Sequence, residues 1–311
     1  MAKKKAKKKA AAPRARTAAP RPTRISVPKT YKMFVNGAFI RSEGGKVLDQ
    51  HDRKGSFMAH YARGTRKDLR DAVGAARKAQ AGWAGRSAFN RSQILYRLAE
   101  MVEDRRAVFV ERLTEILGDK PADASAEVDV AVDRIYWYAG WTDKFSQVLG
   151  GVNPVATPFF NFTVPDPTGV VVIAPSRRSP FLGLVSAICP VILSGNTCVV
   201  IVENDAPVIA CDLTEAIATS DFPAGVVNVL TGHRSEMIAA AASHMDVNAM
   251  AYFGGDDEER AKVRELASEN VKRAKVFEDP TRRRWMDDSS QSLYWIEPFV
   301  EWKTAWHPIG T

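Results

Sequence analysis

Between residues 166 and 277, short apolar runs rich in β-branched residues alternate with segments long enough for a helix, and this alternation constrains the fold more than anything else in the chain. The pattern predicts strands over 170–173, 199–202, 226–230, 249–253 and 274–277, with helices over 180–193, 207–220, 235–242 and 256–270 between them. The strands are apolar throughout instead of alternating, so both of their faces must be covered, as in a parallel sheet layered by helices. Right-handed crossovers then give an α/β, doubly wound, Rossmann-like layer. Such a layer carries no chemistry by itself.

The charge is unevenly placed. The 311-residue chain has a formal charge of +8, yet residues 1–24 hold six Lys, four Arg and no acid. That tail carries +10, so the remainder sits at −2 and the body is nearly neutral. With no apolar periodicity, residues 1–28 are expected to be a disordered basic tail. It reads either as a solubilising segment or as an electrostatic tether to nucleic acid or another polyanion. No aromatics interleave its lysines, so base stacking is not on offer. Cys189, Cys198 and Cys211 lack metal-ligand or disulfide spacing, which predicts no metal site and a reducing, cytoplasmic location. The uncharged stretch 180–202 is long enough to raise a membrane span, but Pro190 and Ser194-Gly195-Asn196 divide it into a buried helix and a buried strand.

Ahead of the sheet, Asn36-Gly37 between two short apolar runs signals a hairpin over 32–40. Amphipathic helices are expected over 68–83, 91–117 and 122–148. Residues 154–164 read as an extended arm whose Phe159, Phe160 and Phe162 need cover. From Phe299 onward the end of the chain alternates as a strand that folds back on this arm.

These pieces in order resemble the aldehyde dehydrogenase superfamily. The resemblance rests on the Asn-Gly hairpin, Asp71 to Ala79 with Trp83, Arg91 to Leu95, and Tyr138-Ala139-Gly140. It continues through Pro167-Thr168-Gly169, Gly195-Asn196-Thr197, Pro223 to Val229 and Thr231-Gly232. Its implied layout is a hairpin and helical block over 29–149, an oligomerisation arm over 150–165, a cofactor-type layer over 166–280 and an oligomerisation strand over 281–311. Its implied activity is oxidation of aldehydes to acids with NAD or NADP, through a cysteine thiolate, a hydride transfer and a glutamate-activated water.

The chemical parts that the resemblance implies do not match. No Gly-Gln-x-Cys segment exists, and Cys189 and Cys198 lie in uncharged runs where burial raises a thiol pKa. The Pro-Trp-Asn-x-Pro turn is replaced by Pro175-Ser176-Arg177-Arg178-Ser179-Pro180. Ile201 and Asn204 stand where a Lys and a Glu contact the ribose. The phosphate-facing turn reads Tyr252-Phe253-Gly254-Gly255, followed by four acids from Asp256 to Glu259 that oppose a diphosphate. Glu278 is a candidate base displaced by one position, and only 31 residues follow Pro280, so the domain carrying the catalytic cysteine is expected to be missing. What remains is a degenerate cofactor site at Ala174, Pro175, Ile201, Asn204, Gly232, Gly254 and Gly255. The expectation is a pseudoenzyme with no bound cofactor, or NAD or NADP if that site still binds. It assembles with itself or with a full-length aldehyde dehydrogenase through Phe159, Phe160, Phe162, Trp295, Trp302 and Trp306. The rival expectations are residual dehydrogenase activity completed by a partner, and a polyanion tether through residues 1–24.

Overall fold

The computed structural model describes residues 27–309, so the basic tail over 1–24 lies outside the described residues. The chain opens with β1 (Lys29–Tyr31) and the hairpin β2 (Met33–Val35) and β3 (Ala38–Ile40). Asn36 and Gly37 both take positive φ, 52° and 74°, which a two-residue hairpin turn demands. β4 (Val47–His51) and β5 (Phe57–Ala62) join β1 in a three-stranded sheet that the sequence reading did not foresee.

Four helices and a short fifth follow. α1 (Arg66–Ala84) starts on a capping box formed by Thr65 and Asp68, and Ser87 caps α2 (Ala88–Asp104). α3 (Arg106–Arg112) runs into a wide turn at Leu113–Leu117 and stops at left-handed Gly118. α4 (Pro121–Trp141) is separated from α5 (Phe145–Leu149). The helices expected over 91–117 and 122–148 are therefore each broken. At the breaks Arg105 donates back to the Met101 carbonyl and Thr142 to the Tyr138 carbonyl, a local alternative to the next helical turn.

The remaining elements are β6 (Phe159–Pro167), β7 (Val170–Ala174), α6 (Leu182–Leu193), β8 (Thr197–Val202), α7 (Pro207–Ala218), β9 (Val227–Thr231) and α8 (Arg234–Ser243). β10 (Ala249–Phe253), α9 (Asp257–Ser268), β11 (Arg273–Phe277), α10 (Arg282–Met286) and β12 (Val300–Pro308) complete the chain. The central sheet has the order β11-β10-β7-β8-β9-β2-β3, with five parallel strands and the hairpin added antiparallel at one edge. α1 and α8 pack on one face beside Tyr252, while α2, α4, α6 and α7 build the larger core on the other. Every residue of α6 is buried. Its last carbonyls are taken by Trp83 Nε1 (2.8 Å from the Ile192 oxygen) and Arg91 Nε (3.0 Å from that of Leu193).

Several residues of the motifs that carried the resemblance act as staples of this layer. Asn196 accepts from the Gly169 N–H at 2.7 Å and donates to the Phe299 carbonyl at 2.7 Å. Asn228 accepts from the Asn36 N–H at 2.9 Å, which clips the hairpin to β9, and donates to the carbonyls of Cys198 and Gly225. Gly225 has φ +87°, and a Cβ there would come within 2.7 Å of the Ala75 carbonyl, so only glycine serves both the turn and the approach of α1.

The C-terminal segment corrects the sequence reading. Only Val300–Pro308 is a strand; residues 281–299 form α10 and short 3₁₀ turns packed over α4 and α6. Fully buried Arg134 donates to Ser186 Oγ (2.8 Å) and the Trp285 carbonyl (2.9 Å), while Trp285, Ile296 and Phe299 are buried. Trp295 is corrected with them. It packs against Phe253, Phe277 and Trp285 instead of lying on the arm, because an aromatic cluster already waits at the end of β10 and β11. β12 pairs antiparallel with β6 from Val300 opposite Pro167 to Pro308 opposite Phe159. That register puts Phe159, Trp302 and Trp306 on one face and Phe160 and Phe162 on the other.

Candidate functional site

In an open α/β sheet, ligands enter at the carboxyl ends of the strands where the chain order reverses. Here that point lies between β7 and β10, which run parallel with Tyr252 opposite Ala174. α6 leaves the end of β7 toward one face, and α9 leaves the end of β10 toward the other.

The crevice at this point is filled by the chain itself. Arg234, 0% exposed at the start of α8, donates to the Pro175 carbonyl at 2.7 Å and the Phe253 carbonyl at 2.9 Å. These are the carbonyls just past β7 and at the last residue of β10, so one guanidinium ties the two strand ends together. It also lies over the Tyr252 ring at 5.3 Å, and burial lowers its pKa. From the side of β11, Asp279 accepts from Ser176 Oγ at 2.5 Å and from the Arg177 N–H at 3.0 Å. Asp256 caps α9 by accepting from the Glu259 N–H at 2.8 Å, and Asp257, Glu258 and Glu259 fill the first turn. A diphosphate needs free N–H groups and positive field. This mouth offers a committed arginine, a capped helix start and four carboxylates; these residues do not fit the phosphates of NAD or NADP.

The residues expected to form a cofactor site part company in the structure. Ala174, Pro175, Gly254 and Gly255 meet at the mouth, and the last two have positive φ. Ile201 is wholly buried in β8. Asn204 turns back to accept from the Ala206 N–H, and Gly232 packs against Gly64. Glu278 is exposed beyond β11, while its neighbour Asp279 takes the inward place. The sequence reading missed Arg234, Asp279 and Glu203, and it named Tyr252 only as part of the phosphate-facing turn. Only Asp279 carried a signal, as an acid two residues past a predicted strand.

A cleft of about 440 Å³ opens beside the mouth, between α8 and α9. Ile238, Ala239, Val263 and Leu266 make its apolar lining, while Asp256, Glu258 and Glu259 stand at its edge. Its two lining cations are already engaged. Arg177 pairs with Glu203 at 2.5 Å, and Lys262 pairs with Glu265 at 2.8 Å.

The thiols are remote from any such chemistry. Cys189, Cys198 and Cys211 are all buried and free, with Cys189 pushed up to about 12 and the other two raised further, chiefly by desolvation. Among the described residues no cluster of His, Cys, Asp and Glu could hold a metal, and no helix is long and apolar enough to cross a membrane. Of the expected interface aromatics, Phe159, Phe160, Phe162, Trp302 and Trp306 are exposed on the arm, Trp302 by 41% and Trp306 by 57%.

Comparison with known proteins gives the same fold and a family. Mitochondrial aldehyde dehydrogenase family 2 member B4 of Arabidopsis thaliana is 31% identical over 246 residues, 78% of this chain and 45% of the relative. Cytosolic aldehyde dehydrogenase 1 of Elephantulus edwardii is 30% identical over 256 residues, 81% of this chain and 50% of the relative. An NAD+ complex of aldehyde dehydrogenase from Bacillus cereus matches with a TM-score of 0.75 at 25% identity, over 79% of this chain and 50% of that one. The chain thus spans about half the length of the relatives it matches. The family model for aldehyde dehydrogenases matches residues 39–277, and this chain belongs to the aldehyde dehydrogenase family.

Proposed function

We propose that this chain is a non-catalytic member of the family, a sheet-and-arm body that assembles with itself or with a full-length aldehyde dehydrogenase. The observation that carries the reading is the mouth of the sheet, where Arg234, Asp279 and Asp256 occupy with their own hydrogen bonds the place a dinucleotide would need. The buried thiols support it, because a thiolate nucleophile needs access and a lowered pKa, and all three have neither. The exposed aromatics of the arm support the assembly role, since large aromatics anchor most protein contacts.

The purified chain, given acetaldehyde or a longer aldehyde with NAD or NADP, is expected to form no reduced nicotinamide, and calorimetric titration with either cofactor is expected to give no heat. Steady reduction that vanishes when one of the cysteines becomes serine would overturn the reading. Retained cofactor binding has one observation in its favour, the cleft between α8 and α9, and the same titration tests it.

A further inference from the structure

The links between the first strands enclose another cavity, of about 170 Å³, that shares no residue with the mouth of the sheet. Thr30, Tyr31 and Lys32 wall it at the passage from β1 to β2, and Arg41, Ser42 and Lys46 wall it between β3 and β4. Three of these six side chains are cations, and among the described residues none of the three has an acid within ion-pair distance. The acids nearby are already matched. Glu43 pairs with Lys67, and Glu236, whose field Lys46 shares, pairs with Arg63. Like charges around one small cavity repel, and an anion between them relieves that repulsion.

The wall is tied in place by the protein's own bonds. Buried Asp68, which forms the capping box of α1 with Thr65, accepts from Ser42 Oγ at 2.8 Å and from the Glu43 N–H at 3.0 Å. Gly45, at φ +63°, returns its N–H to the Ser42 carbonyl at 2.9 Å, and the Lys46 carbonyl accepts from the Arg63 N–H at 3.0 Å. The backbone carrying Arg41 and Lys46 is thus held along its length, so little ordering entropy opposes binding there. At ~30 Å³ per water the cavity has room for about five, the space of a phosphate group with a short carbon chain. A neighbouring cavity of about 210 Å³ shares Thr30, Tyr31 and Lys32 and adds the ring of Phe39, which gives a carbon chain an apolar surface.

We propose that this cavity binds a small phosphate monoester, with its phosphate among Lys32, Arg41 and Lys46 and its carbon chain toward Thr30 and Tyr31. Arg41 supplies the forked donors that match phosphate oxygens, and the two ammonium groups supply charge. The Thr30 hydroxyl adds a further donor. Nucleic acid would need such cations in a stripe along a groove, which one small cavity does not provide. The site is independent of the reading of the mouth, because the two have no residue in common.

Competitive acetylation of lysines in the full chain, mapped by mass spectrometry at a fixed ionic strength of ~0.15 M, decides it. With ~10 mM glycerol 3-phosphate, acetylation of Lys32 and Lys46 is expected to slow about fivefold or more, as low-millimolar binding requires. Exposed Lys54 and Lys78, and the tail lysines between Lys3 and Lys9, are expected to keep their rates. Glycerol is expected to protect nothing, inorganic phosphate to protect more weakly than the ester, and Arg41→Gln to abolish the protection. As a second readout, the ester is expected to raise the melting temperature of the parent and of the control Lys54→Gln, Lys78→Gln. It is expected to leave the triple variant Lys32→Gln, Arg41→Gln, Lys46→Gln unshifted. Slowing spread evenly over all lysines, protection that survives Arg41→Gln, or no protection at all would overturn the proposal. Protection by inorganic phosphate but not by the ester would overturn the ligand class.

Discussion

At the carboxyl ends of β7 and β10 the chain has satisfied its own polar groups, whereas on the β6–β12 arm it has left large aromatics facing water. In the first region a buried arginine, a capping aspartate and Asp279 consume the donors and acceptors that a ligand would use. In the second, Phe160, Phe162, Trp302 and Trp306 remain exposed on a two-stranded sheet whose β6 edge is bridged at Thr163 by Gly151. A two-stranded ribbon of this kind is marginal alone. The contrast shows where each surface spends its interactions: the mouth is closed inward, and the arm is available outward.

The contrast breaks most visibly at the arm. In the proposed assembly, the double variant Trp302→Ala, Trp306→Ala is expected to be monomeric by light scattering where the parent is not, while unfolding stability shifts by less than about 1 kcal/mol, because both side chains are largely exposed within the chain. An unchanged mass would remove the anchors from the account.

At the mouth, Arg234→Ala leaves the carbonyls of Pro175 and Phe253 without their donor and is expected to cost about 2–4 kcal/mol in urea denaturation. Millimolar guanidinium added back should restore part of the melting temperature if the arginine is a plug. A variant as stable as the parent would mean that the crevice closes by other means.

The smallest effect sharpens the view of the sheet's far edge. Lys272, whose ammonium donates to the His244 carbonyl at 2.7 Å, has its pKa lowered to about 8 by burial. Between that value and the usual lysine range, the unfolded chain holds a proton that the folded chain has lost, so stability rises with pH through this window. The gain is expected to be about 1–2 kcal/mol between pH 8 and 10.5. Lys272→Met should flatten that slope; a slope that persists assigns it to another group.

Much of the fold was legible because it is local. The strands at 249–253 and 170–173 and the Asn36-Gly37 hairpin were signalled by apolar runs and turn chemistry within a few residues. The helix breaks at Arg105 and Thr142 were not, since they depend on side chains bonding to carbonyls four residues back. At the site, the four acids opening α9 and the aliphatic Ile201 could be read directly as hostile to a dinucleotide. Trp295 could not be placed, because its neighbours Phe253 and Trp285 come from different parts of the chain.

The sequence alone determined the layered α/β fold and the family, and it placed Ile201 and the acids from Asp256 to Glu259 in the cofactor-type layer. Periodicity and side-chain identity act over one or two turns and need no knowledge of neighbours. Only the tertiary structure decided what fills the mouth of the sheet. Arg234 becomes a plug through carbonyls 59 residues before it and 19 residues after it, and Asp279 through Ser176, 103 residues away. A buried charge takes its meaning from the partners that desolvate and bind it, and folding is what assembles them.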